Sequence, residues 1–177
     1  LKESAADYYR KAIGFIEENN LSKFSLPILY SELATVLIDT GRYEEAAEEL
    51  EKGKARLTLP EYIWPLKLKQ VILYSRTGRS AEARTLFDRI RQGHGGYLTT
   101  ASLTEAQLAI DLAEHEFGKA LATLDKLIGL FKETGHSETY FYKLFQTRAE
   151  AYAETGNYEA AYKSQKHYLD LYRKKVG

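Results

Sequence analysis

The chain has 177 residues, 44% of them apolar, with 25 basic and 25 acidic side chains cancelling to zero net charge. That balance excludes a highly charged disordered chain and gives no general attraction to nucleic acid or an anionic membrane surface. With no cysteine there is no disulfide framework and no thiolate metal site, and no apolar run nears the ~18 residues that a membrane helix needs.

Residues 4–18 predict a helix with Ala5, Tyr9 and Ala12 at helical spacing. It starts already under way, so the chain is expected to be a piece of a longer protein. A link at Asn19–Lys23 leads to a first helix with Tyr30, Leu33, Ala34 and Leu37 on one face. A turn at Gly41 follows, then a second helix with Tyr43, Ala46 and Leu50. Thr58–Glu61, with Pro60, links to the next pair, which turns at Gly78 and continues through Ala83, Phe87 and Ile90. After Gln92–Thr100 comes a third pair with His115 in the turn, then Phe117, Ala120, Leu124 and Leu127. Its first helix carries Leu103, Ala106, Ile110 and Ala113, one residue early against Ala120, which predicts a one-residue deletion. Beyond Thr134–Glu138 the last pair has Ala149 and Tyr152, a turn at Gly156, then Tyr158 and Ala161, with Gln165 where an aromatic is usual. No stretch alternates with period two, so no strand is predicted.

The matching alanines Ala5, Ala46, Ala83, Ala120 and Ala161 are separated by 41, 37, 37 and 41 residues. The repeated small residue, turn glycine, aromatic and alanine resemble the tetratricopeptide-repeat family, whose standard period of about 34 residues is exceeded here. The resemblance implies an all-α fold, a right-handed α-α superhelix or solenoid of about nine helices. Residues 1–177 would form one domain, with a half repeat at 1–20 and repeats at about 25–57, 62–92, 101–133 and 139–175. It also implies a protein–protein interaction function. The longer repeats and the long last helix resemble those of bacterial signalling and regulatory proteins. A regulatory or sensor module is therefore expected; the alternatives are a lid restraining an appended output domain and an enzyme domain on an α-solenoid. A cytoplasmic location is expected.

First helices of such arrays line one face. Beside the residues that point into each hairpin runs a stripe at spacings of three and four: Ile28, Ser31, Thr35 and Ile38, then Leu68, Ile72, Ser75 and Arg76, then Lys143, Gln146, Glu150 and Ala153. The predicted partner-binding groove is Ile28, Ser31, Thr35, Ile38, Leu68, Ile72, Arg76, Gln146 and Glu150. Family members that capture a chaperone's terminal carboxylate carry Lys and Asn on this stripe. Here Ser31, Thr35, Lys69, Ser102 and Ala106 stand instead, which speaks against that ligand. Residues 39–51 hold six acids and one base, and residues 67–91 seven bases and two acids. The basic segment around Arg76 predicts a protein or peptide partner with an acidic residue and apolar anchors.

Catalytic, cofactor and metal residues are predicted to be none. His94, His115, His136 and His167 lie too far apart for a paired ligand motif. Gly93-His94-Gly95-Gly96 has neither the preceding strand nor the following Lys-Ser/Thr of a phosphate cradle and reads as a link. Glu44, Glu45, Glu48, Glu49 and Glu51 read as a solvated helix face. Of the 14 tyrosines, Tyr43, Tyr74, Tyr152 and Tyr158 fall on repeat positions, whereas Tyr62, Tyr97, Tyr140, Tyr142 and Tyr172 do not.

Overall fold

The same hydrogen-bonded turn closes each helix pair. In the first pair the Arg42 amide donates to the Leu37 carbonyl at 2.8 Å and the Gly41 amide to Ile38 at 3.1 Å, a Schellman ending with Gly41 at φ 73°. Gly156 repeats both bonds at φ 77°, and Gly78, at φ 76°, has the longer-range one, Arg79 to Tyr74 at 2.8 Å. Thr40, Thr77 and Thr155, each just before the glycine, donate a hydroxyl back to a carbonyl of the last turn. The third pair makes the same two bonds, Glu116 to Asp111 and His115 to Leu112, with His115 itself at φ 57°. A residue with a Cβ thus holds the left-handed conformation that glycine takes elsewhere.

The computed structural model describes residues 4–19, 21, 23–57 and 59–177, in two compact units. Leu1, Lys2, Glu3 and Asn20 of the expected half repeat, Ser22 of the first link and Thr58 of the second lie outside the described residues. The first unit, Leu1–Thr99, contains α1 (Ala5–Glu18), a 3₁₀ turn (Lys23–Ser25), α2 (Leu26–Asp39), α3 (Tyr43–Arg56), α4 (Pro60–Arg76) and α5 (Ser80–Gly93). The second, Thr100–Gly177, contains α6 (Thr100–Ala113), α7 (Phe117–Glu133), α8 (Lys143–Glu154) and α9 (Tyr158–Val176). Among the described residues there are nine α-helices and no strand, the all-α helical-repeat class that the spacing predicts. Pro60 and Glu61, expected in a link, open α4: proline fits a first helical position, where its missing N–H removes no bond.

In the first unit α2 packs against α1, α3 and α4. Tyr30, Leu33, Leu37, Leu50 and Leu66 are fully buried between them. The helices close tightly at Gly53 of α3, where a Cβ would stand 2.6 Å from Leu66 Cδ2 and 2.9 Å from Tyr30 Cγ. Ion pairs tie α1 to α3 at the rim. Arg10 reaches Glu45 at 2.8 Å and Glu49 at 3.3 Å, and Arg56 reaches Glu17 at 3.0 Å while donating to the Tyr30 hydroxyl.

In the second unit α6 packs on α7, α7 on α8 and α8 on α9. Leu124 and Leu127 are fully buried. Farther along, Phe131 stacks on Phe141 at 5.4 Å, and Phe145 meets the His167 ring edge-on at 4.4 Å. The expected one-residue deletion is absent. Seven residues before the turn residue, Ala34, Val71, Leu108 and Ala149 are all buried, so the register is the same in every pair. The apparent shift comes from Asp111, a polar residue 2% exposed at the position that Leu37 holds in the first pair. Its carboxylate accepts from Thr123 Oγ1 at 2.8 Å and Gln107 Nε2 at 2.6 Å.

Candidate partner-binding surface

An inner helix that touches three neighbours buries a wider arc than a hairpin alone requires, and α2 shows the effect. Ser31 and Ile38 are 9% and 5% exposed, and Ile38 belongs to the core cluster. Leu68 of α4 is 3% exposed. These three predicted groove residues therefore present no free surface, and Ile38 packs in the cluster that holds Leu66 and Leu73 of α4. The open face lies one residue over. On α2 it consists of Ile28, 65% exposed, with Glu32, Asp39 and half-buried Thr35. On α4 it consists of exposed Arg76 with half-buried Pro65, Lys69 and Ile72 at the corresponding offsets.

Among the described residues Arg76 makes no hydrogen bond or ion pair, so its planar guanidinium is available for a carboxylate. By contrast Arg79, just past the turn, is spent on Glu82 through two bonds of 2.7 and 2.6 Å and lies 3.9 Å from the Tyr74 ring. Thr35 donates its hydroxyl to the Ser31 carbonyl at 3.0 Å. The sequence reading placed Lys69 on the stripe only in the comparison with the carboxylate clamp, left it out of the predicted groove, and missed Glu32. The signal was present in the 28, 32, 35 and 65, 69, 72, 76 spacing, but it could not be told from the neighbouring stripe without knowing where α4 meets α2.

In the second unit the predicted Gln146 and Glu150 stand on the outer side of α8, and Gln146 Nε2 donates to Glu150 at 3.3 Å. Glu138, between α7 and α8, is held below the usual carboxylate range, chiefly by Lys132 at 2.8 Å and then by His167 at 2.8 Å. An open depression of about 380 Å³ between α4 and α5, unforeseen in the sequence, is lined by Gln70, Tyr74, Ala81, Glu82, Thr85, Leu86 and Arg89. Its polar floor is already engaged, with Gln70 Nε2 donating to the Tyr74 hydroxyl at 2.7 Å. Among the described residues no group of three or more His, Asp or Glu could hold a metal, and no helix is long and apolar enough to cross a membrane.

Helix pairs closed by one recurring turn define a helical-repeat scaffold. Models of the tetratricopeptide repeat match residues 27–52 and 68–89, and a further tetratricopeptide-repeat model matches 142–175. The solved structure titled MamA RS-1 ArsTM double mutant is similar, with a TM-score of 0.52 at 12% identity, covering 100% of this chain and 99% of that one. At that identity the likeness concerns the fold alone. No curated protein matches the chain. The chain is a tetratricopeptide-repeat protein, and such repeats generally mediate protein–protein interaction.

Proposed function

We propose that this chain captures a protein segment on the open face of α2 and α4. One observation carries the reading: exposed Ile28 and half-buried Ile72 share this face with Arg76, a cation with no partner among the described residues. Apolar side chains anchor, and a guanidinium selects a carboxylate. The partner segment therefore has apolar anchors and at least one acidic residue. Gln146 and Glu150, on α8 of the second unit, are a separate polar candidate surface. The chain serves as the regulatory or sensor part of a larger bacterial signalling protein. That finer reading draws support from repeat spacings longer than the standard period and from the 19-residue last helix.

The test uses labelled peptides with two isoleucines and flanking aspartates, titrated into the full chain by fluorescence anisotropy. Arg76→Ala with Ile72→Ser should weaken binding about tenfold or more, with helicity unchanged. Glu48→Ala, on an exposed side of α3, should leave binding as it was. Equal affinity of the double variant and the parent, at low and at high salt, refutes the α2–α4 surface.

A further inference from the structure

The cations of the α2–α4 face repeat every two helical turns. Lys69 and Arg76 are seven residues apart on α4, which places them on one side of the helix and about 10 Å apart along its axis. Ile72 lies between them, and Ile28 and Thr35 of α2 are likewise seven residues apart. Ile28 and Pro65 come 13 residues before their turn glycines, Lys69 nine, Thr35 and Ile72 six, and Arg76 two. The face therefore alternates along its length: an uncharged row, a cation, an uncharged row, a cation, at spacings of four, three and four.

Packing fixes the flank on which the cations stand. Leu66 and Leu73 of α4 belong to the cluster that holds Ile38 of α2. Lys69 and Arg76 follow those leucines by three residues, so they border the seam where α4 meets α2. Glu32 and Asp39 lie on the other side of Ile28 and Thr35 from Ile38, away from that seam. The charge along the seam is thus positive. Among the described residues neither Lys69 nor Arg76 makes a hydrogen bond or ion pair, although Lys69 is half-buried. Withdrawing a cation from water without a counter-charge is unfavourable, and an arriving carboxylate offsets that cost.

The spacing selects the conformation of the occupant. A segment that meets both cations must place two carboxylates about 10 Å apart on one side. An extended strand rises about 3.3 Å per residue and alternates sides, so its same-side positions fall about 7 or 13 Å apart. A helix puts residues i and i+7 on one side at about 10 Å. We infer that the α2–α4 face binds a helix carrying two acidic residues seven positions apart, each with an apolar residue three or four positions away, and that Lys69 is the second cation that selects it. This rests on the reading of that face given above and adds the partner's conformation and its charge spacing.

The probe is a capped helical peptide with leucines at i and i+7 and glutamates at i+4 and i+11. One isomer carries the glutamates at i+6 and i+13, on the opposite side of the helix, and a third peptide has prolines between the glutamates, which break the helix. Anisotropy titrations with the full chain should show the first peptide binding about tenfold tighter than either of the others, an advantage that shrinks as salt rises. Lys69→Gln and Arg76→Gln, each crossed with single Glu→Gln changes in the peptide, should show coupling of each cation to one glutamate only. Far-UV circular dichroism checks that both variants keep the helices of the parent. Absence of saturable binding, equal binding of the helical and proline-containing peptides, or a Lys69 that couples to neither glutamate overturns the inference. If in that event Arg76→Ala with Ile72→Ser still weakens the isoleucine–aspartate peptides, the α2–α4 face stands and only its helical occupant falls; if that pair has no effect either, both fall.

Discussion

The two units use one turn geometry but fill their interiors by different chemistry. The first is mostly aliphatic: Leu26, Leu33, Leu37, Leu50 and Leu66 are buried with Tyr30, Phe87 is buried on α5, and both turns carry glycine. The second buries a hydrogen-bonded carboxylate at Asp111, holds His115 in the left-handed region, and gathers phenylalanines around Phe131, Phe141 and Phe145. The repeat thus fixes where helices meet, not which side chains meet there. A polar group at a core position survives if every bond it can make is made, and a strained turn survives if the surrounding helices specify it.

The largest effects should come from equivalent core leucines. Leu50 and Leu124 each stand nine residues after their turn residue and are 1% and 0% exposed. Leu50→Ala and Leu124→Ala should each cost about 2–5 kcal/mol in urea unfolding, through lost burial and the cavity left behind. Since repeats contact mainly their neighbours, hydrogen exchange should rise first in the unit that carries the change. Equal loss of protection in both units would mean that the division into two interiors has no energetic counterpart.

Next in size are two substitutions at single crowded or polar positions. Gly53→Ala puts a methyl against Leu66 and Tyr30. Overpacking costs about 1–3 kcal/mol, and the better helix propensity of alanine returns at most about 1 kcal/mol, so the net change should be destabilising. Asp111→Ala leaves Thr123 and Gln107 without their acceptor and should cost about 1–3 kcal/mol, whereas Asp111→Leu restores the residue type of the first pair and should cost less. If Asp111→Leu is the worse of the two, the carboxylate is required by the second unit's packing and is not merely tolerated there.

The turns give a smaller, signed test. His115→Gly should stabilise the second unit by about 0.5–1 kcal/mol by relieving a left-handed residue, less the entropy that glycine adds to the unfolded chain. Gly41→His should destabilise the first by about 1–2 kcal/mol, and for conformation alone, since a Cβ at Gly41 would meet nothing within 4 Å. Thermal melts of the two variants moving in the same direction would break the equivalence of the turns.

Helix positions and the four turns were legible in the sequence because Gly41, Gly78, Gly156 and the alanines five residues later answer to backbone geometry, which is local. The third turn was readable through Phe117 and Ala120 despite His115. What misled was Asp111: periodicity counts apolar residues, so a satisfied buried carboxylate reads as a slipped register. The groove was legible only to within one residue. Ile28, Thr35, Ile72 and Arg76 stand on or beside the open face, but Ile38 and Leu68 are buried. Which flank of an inner helix is covered depends on its neighbour's angle, a tertiary fact that no spacing carries. Gly53 was likewise invisible, since a glycine required by close approach looks in sequence like any other helical glycine.

The smallest effect expected is a pH dependence that belongs to the first unit. The guanidinium of Arg42, and after it that of Arg10, holds the Glu45 carboxyl down at about 2, against an ordinary 4.5. A carboxylate whose folded value is depressed binds fewer protons in the folded state, so its contribution is complete above 4.5 and is lost as pH falls from there toward 2. Side chains 31%, 36% and 43% exposed at Arg10, Arg42 and Glu45 leave the ion pairs open to solvent, so the contribution is modest and salt diminishes it. Glu45→Gln should therefore flatten the stability profile of the first unit between pH 4.5 and 2, and do so more at low salt than at high. The measurement is urea unfolding across that range, with exchange at α1 amides as the local readout, because Arg10 links α1 to Glu45. In the second unit the corresponding carboxylate is Glu138, lowered first by Lys132 and then by His167. Glu138→Gln should change exchange at α9, where His167 sits, and leave α1 as it was. If instead Glu45→Gln leaves the acid limb of the α1 profile unchanged, the Arg10–Glu45 contact contributes nothing, and α1 is held to the first unit by Ile13, Ala6 and their apolar neighbours together with the Arg10–Glu49 and Arg56–Glu17 pairs.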